Sequence, residues 1–173
     1  MKITAVLVTM AVAVVLQLAL ARYTVGGRWP FDLVLVGVVY CALNWGPAAG
    51  MWAGSVGGIV QDMLSNDVVG VGGLGKTLVG FAAGTIGSQF VITRPTSRAA
   101  MLGGASVVHR LLLLGLHGLI AQAWPAVPAG ALASETFLNA IAGLIVFQLT
   151  ESLPGIVSRG RQARRSGLRR REW

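Results

Sequence analysis

Apolar residues along this chain fall into long uncharged runs separated by short polar, glycine-rich or proline-containing segments. The first run, residues 3–21, has 19 residues without a charge. As a helix it would be about 28 Å long, close to the hydrocarbon thickness of a bilayer. Lys2 before the run and Ala19-Leu20-Ala21 at its end also suit a signal peptide. Signal cores, however, usually extend over only about 7–15 residues, so a retained helix is expected. The second run, residues 33–61, is interrupted near its middle by Gly46-Pro47. One straight helix there would reach about 44 Å, too long for a single span. Proline removes a backbone donor and disfavours helix in the residue before it. A tight hairpin of two short helices, 32–45 and 48–62, is therefore predicted.

Residues 62–73 read as a connector and 74–92 as a fourth helix. A short basic loop with Pro95 occupies 93–98, and a fifth helix follows over 99–121. Trp124-Pro125 and Pro128 break the next stretch, and a sixth helix covers 134–152. Ser134 is its expected N-cap, and Glu135 suits the positive end of the helix dipole. Pro154-Gly155 ends it.

Composition agrees with membrane helices. Hydrophobic residues make up 54% of the 173 and charged residues only 12%, about half the roughly 25% of a soluble domain. A soluble chain of this size could not bury so much apolar surface. The single cysteine, Cys41, excludes an intrachain disulfide. The net charge of +8 does not point to nucleic acid, because seven of the 14 basic residues lie between Arg159 and Arg171. A cluster beside the last apolar segment suits an anionic lipid surface. The chain thus divides into a six-helix transmembrane domain, 1–155, and a basic cytoplasmic tail, 156–173. Six spans put both termini on one side. The positive-inside rule then sets Lys2, Arg94, Arg98 and the tail arginines in the cytoplasm, against Arg22, Arg28 and Lys76 outside. Trp29, Trp45 and Trp124 fall at helix ends, where indoles favour the interface.

The third helix carries glycine at every fourth position, Gly46, Gly50, Gly54 and Gly58, with Asp62 next in the row. The fourth repeats the step with Gly72, Lys76, Gly80, Gly84 and Ser88. Small residues at this spacing let helices approach closely in lipid. The expected packing seam comprises Gly46, Gly50, Gly54, Gly58, Gly80, Gly84 and Ser88. Isolated charges in a membrane segment usually pair or face a cavity. Asp62 and Lys76, at similar depth on adjacent helices, are accordingly expected to form an ion pair across the seam. The plainer alternative is that both reach interfacial water.

Arg110 lies near the middle of the fifth helix, a costly place for a charge. With Asn139 as its nearer hydrogen-bonding candidate, it marks a polar pocket or a contact with a partner helix. The plainer alternative is an arginine snorkelling along a tilted helix. His109 and His117 lack a third ligand, so no metal site is expected. No nucleophile accompanies a base and an orienting acid, and Gly75-Lys76-Thr77 lacks the spacing of a phosphate loop. The residues thus predict neither an enzyme nor a cofactor.

The segment Pro30, Asp32-Leu33, Gly46, Gly50, Gly54, Gly58-Ile59-Val60-Gln61-Asp62-Met63-Leu64-Ser65, Gly70, Gly73 and Lys76-Thr77-Leu78-Val79-Gly80 resembles the MreD family of bacterial rod shape-determining membrane proteins. Ile59 stands where the family commonly has leucine. The resemblance implies an all-α bundle of six transmembrane helices, similar to the substrate-binding subunits of energy-coupling-factor transporters. It also implies residence in the bacterial inner membrane and a scaffold role in the elongasome, which directs lateral peptidoglycan synthesis and cell shape. The implied partners are MreC, directly, and the MreB filament, a SEDS glycosyltransferase and a class B penicillin-binding transpeptidase as members of the complex. A substrate-binding membrane subunit of a vitamin or metabolite transporter is the alternative.

Overall fold

The structure, a computed structural model, describes residues 2–21, 31–65, 68–90, 92, 94–122, 130 and 132–150. Arg22, Arg28, Trp29, Trp124, Pro125, Pro128, Glu151, Pro154 and the tail 156–173 lie outside the described residues. The described residues form six helices: α1 (Lys2–Ala21), α2 (Leu33–Trp45), α3 (Pro47–Ser65), α4 (Val71–Gln89), α5 (Pro95–Ala121) and α6 (Leu132–Thr150). The described residues contain no strand.

The break between α2 and α3 follows from its two residues. Gly46 closes α2 with φ +93°, donating its N–H to the Ala42 carbonyl at 2.9 Å. That left-handed conformation is open to glycine at little cost. Pro47 then occupies the first position of α3, where its missing N–H would have no helical partner anyway. Pro95 does the same for α5, which begins four residues before the sequence expectation because this proline starts a helix instead of a loop. α6 is already helical at Gly130 and Leu132, so Ser134 lies inside it and is not its N-cap.

α3 and α4 form the tightest pair, antiparallel and in contact through backbone. A methyl added to Gly50 would fall on the Gly80 carbonyl, and one added to Gly80 on that of Gly50. Gly54 lies over the Lys76 carbonyl, Gly58 over Gly73, and Gly84 over Pro47. The four-residue step on α3 is thus met by a matching step on α4. One residue of the expected seam is elsewhere. Gly46 makes the turn and also ends the seam, its carbonyl carbon 2.8 Å from where a methyl on Gly84 would fall, whereas Ser88 is exposed with its hydroxyl on the Thr85 carbonyl at 2.7 Å. A four-residue row drifts about 40° per step around the helix, which carries Ser88 off the contact.

α5 and α6 meet antiparallel in a second four-residue register. Arg110 faces Glu135, Ser106 faces Asn139, Leu102 covers Gly143, and the Arg98 guanidinium lies 4.6 Å from the Phe147 ring centroid. The core between these pairs is apolar, with Leu35, Val36, Val39, Ala42, Val79, Ala83, Leu102, Ala105 and Phe147 buried together. Val6 and Met10 of α1 pack on Val38, Cys41 and Ala53 in a second cluster.

Among the described residues, three stretches are long and apolar enough to cross a bilayer: Ile3–Leu20, Pro95–Ile120 and Leu132–Thr150. α2 is apolar but has only 13 residues. α3 and α4, at 19 residues each, contain four and six glycines, which lower their hydropathy while permitting close approach. The outer surface is apolar in keeping with lipid: Ile3, Val8, Val15, Leu119, Phe137 and Leu149 are all exposed.

Candidate functional site

Where α1, α2, α4, α5 and α6 converge, the interior is polar. Its centre is Lys76, whose ammonium is 2.8 Å from Asp32 Oδ2 and 3.3 Å from His109 Nε2. Lys76 is 3% exposed and His109 2%. Ser106 and Asn139 are buried beside them.

The cluster grows out of the first turn of α2. Helix starts leave backbone N–H groups without partners. Here Asp32 is the N-cap: its Oδ1 accepts from Leu35 N at 3.0 Å, and its carbonyl accepts from Val36 N at 3.1 Å. Gln17 of α1 accepts from Leu33 N at 2.8 Å and donates to the Phe31 carbonyl at 3.2 Å. Asn139 of α6 accepts from Asp32 N at 2.7 Å and donates to Ser106 Oγ at 2.9 Å. Ser106 passes its proton to the Leu102 carbonyl one turn back on α5. Side chains from α1 and α6 thus grip the start of α2, and its capping carboxylate holds the one cation contributed by α4.

This arrangement corrects the sequence expectation for Lys76, whose carboxylate partner is Asp32 and not Asp62. Asp62 is buried, and its Oδ2 accepts from Gly70 N at 2.9 Å and Gly73 N at 3.1 Å. A carboxylate at the start of α4 satisfies two amides and meets the positive end of that helix. It also explains why α4 begins at Val71, three residues earlier than expected. Gly72 must lack a side chain, since the Asp62 carboxylate fills the space.

Arg110 is likewise not paired with Asn139. Its Nε lies 3.8 Å from Glu135 Oε2, with the arginine side chain 38% and the glutamate 18% exposed. Glu135 and Asn139 are one turn apart on α6, so both face α5, and Asn139 is the one drawn to the interior. His109 and His117 have separate partners, His117 Nδ1 lying 2.8 Å from the Leu113 carbonyl.

Asp32, His109, Ser106 and Gln17 were not assigned to a site from the sequence. The available signal was charge balance: a buried lysine needs a carboxylate, and Asp32, directly before an apolar run, is the other acid of the first half lying beside an apolar segment. Chemically, the cluster ties five helices together through compensated charges and directed hydrogen bonds.

No curated protein and no solved structure matches the chain. The family model of the rod shape-determining protein MreD matches residues 1–152. That match covers all six helices and the whole polar cluster, and the chain accordingly belongs to the MreD family, with a role in rod shape determination.

Proposed function

We propose that the chain is a non-enzymatic integral membrane scaffold of the bacterial elongation complex, which binds MreC directly and helps organise lateral peptidoglycan synthesis. The observation that carries this reading is the family match across residues 1–152. The Asp32–Lys76 ion pair and the Asn139–Ser106 hydrogen bond support it, since they tie helices together as a scaffold requires. In this reading all six helices span the inner membrane, as in the substrate-binding subunits of energy-coupling-factor transporters, and both termini are cytoplasmic. The short α2 and the glycine-diluted α3 and α4 cross as the packed centre, shielded in part by the more apolar α1, α5 and α6. Residues 156–173 lie against anionic lipid, where each arginine gains about 1 kcal/mol before screening. The MreB filament, the SEDS glycosyltransferase and the class B transpeptidase join as members of the same complex.

Co-purification of the full chain with MreC from detergent-solubilised membranes tests the proposal. Wild type should retain MreC through affinity purification. Leucine at the exposed small positions Gly104 and Ala133, tried separately, should identify a face at which retention is lost while the bundle stays folded. Absence of MreC from the wild-type preparation would sink the reading. A small molecule retained tightly in its place would favour the transporter alternative.

A further inference from the structure

The hydrogen bonds of Lys76 dictate where His109 carries its proton. A lysine ammonium has three donors and no acceptor. With Asp32 Oδ2 at 2.8 Å, Lys76 is held as the cation of an ion pair. Its contact with His109 Nε2 at 3.3 Å must then run from lysine to histidine, so Nε2 offers a lone pair. An imidazolium has no lone pair to offer, and a neutral ring with a free Nε2 has its proton on Nδ1.

That proton has nowhere to go among the described residues. His109 is 2% exposed, and Nδ1 is buried without a hydrogen-bond partner. The opposite edge of the ring faces α4: a Cβ at Gly75 would come 3.4 Å from His109 Cδ2 and 3.6 Å from Nε2. Nδ1 is therefore turned away from α4, inside the bundle. An unmet buried N–H costs about 1–3 kcal/mol, and such groups are nearly always met by protein or by ordered water. Buried waters bind at polar sites with several partners. The cluster retains such capacity, because Asn139 uses one of its two amide protons on Ser106, and the Ser106 oxygen has a second lone pair.

We infer that His109 is held as the Nδ1-protonated neutral tautomer by Lys76, and that its N–H is bound to a water molecule enclosed in the bundle. Asp32, Arg110 and Glu135 are the remaining charged groups around the cluster. Asp32 neutralises Lys76, and the Arg110–Glu135 pair is self-compensating, so a neutral acceptor suits the site better than an anion.

The test is nitrogen NMR of the full chain, labelled at histidine and reconstituted in lipid bilayers at neutral pH. His117, also expected to be protonated on Nδ1 because it donates to a carbonyl, is removed with His117→Gln to leave one histidine signal. The expected spectrum has a bare Nε2, a protonated Nδ1 and magnetisation transfer from water to that Nδ1–H. In Lys76→Met the tautomer should shift toward Nε2–H. If that variant fails to fold, the single-histidine spectrum decides by itself. An Nε2–H tautomer or an imidazolium would overturn the proton assignment, and a protonated Nδ1 without water transfer would overturn the bound water.

Discussion

Lys76 and Asp32, on helices separated by the whole of α3, meet at 2.8 Å inside the bundle, and the carboxylate that reaches Lys76 also caps α2. One aspartate therefore serves the start of one helix and the charge of another. Losing it affects both.

Removing one partner of a buried pair strands the other charge, at a cost of about 3–5 kcal/mol. Asp32→Asn or Lys76→Met alone should lower the thermal stability of the detergent-solubilised chain by an amount in that range. The double variant should lose less than the sum of the two. Asp62→Asn combined with Lys76→Met should instead be additive, because those side chains have separate partners. Additivity in the first pair and coupling in the second would reverse the assignment.

Asp62 has a different duty. Each hydrogen bond to its carboxylate should contribute about 1.5–3 kcal/mol. Asp62→Ala should therefore destabilise the α3–α4 junction and speed amide exchange at Gly70 and Gly73, with little change at Leu35. Asp62→Asn retains an acceptor and should fall between wild type and alanine. Equal exchange in all three proteins would show that the carboxylate does not hold the junction.

At the glycine contact, Gly80→Leu places a side chain on the Gly50 backbone, which cannot retreat without parting α3 from α4. The loss should be at least about 3 kcal/mol, the upper end of ordinary overpacking. Leu78→Ile, at an exposed position, should be tolerated. Comparable melting shifts for both would mean that the helices are not held at backbone distance.

The α5–α6 register can be probed at Gly143, where an added methyl would collide with the Leu102 side chain. Gly143→Ala should cost about 1–3 kcal/mol. Gly104→Ala, with open space around it, should be neutral or gain up to about 1 kcal/mol from helix propensity. Thermal unfolding of the two variants side by side gives the comparison.

Residues near one another in the chain made much of this architecture legible. Charge-free runs, Gly46-Pro47 and the four-residue glycine step are local features. They establish six helices, the α2–α3 break and the contact faces of α3 and α4, because helix formation and helix faces depend on neighbours within a few residues. Helix starts were less readable where the deciding group was distant or ambiguous. α4 begins early because Asp62 reaches back over its first amides, and α5 because Pro95 initiates instead of interrupting.

Pairing was the part that sequence order could not settle. Asp62 and Asp32 are both carboxylates adjoining apolar segments, and proximity along the chain favours Asp62. The choice fell to Asp32 because the Gly70 and Gly73 amides occupy Asp62, while the rotation of α2 turns its capping residue inward toward α4. Likewise Glu135, not Asn139, meets Arg110, because the four-residue register between α5 and α6 decides which turn faces which. The sequence by itself determined the helices and their small-residue faces. Tertiary packing decided which charges meet, since depth and rotation follow from the contacts of all six helices together.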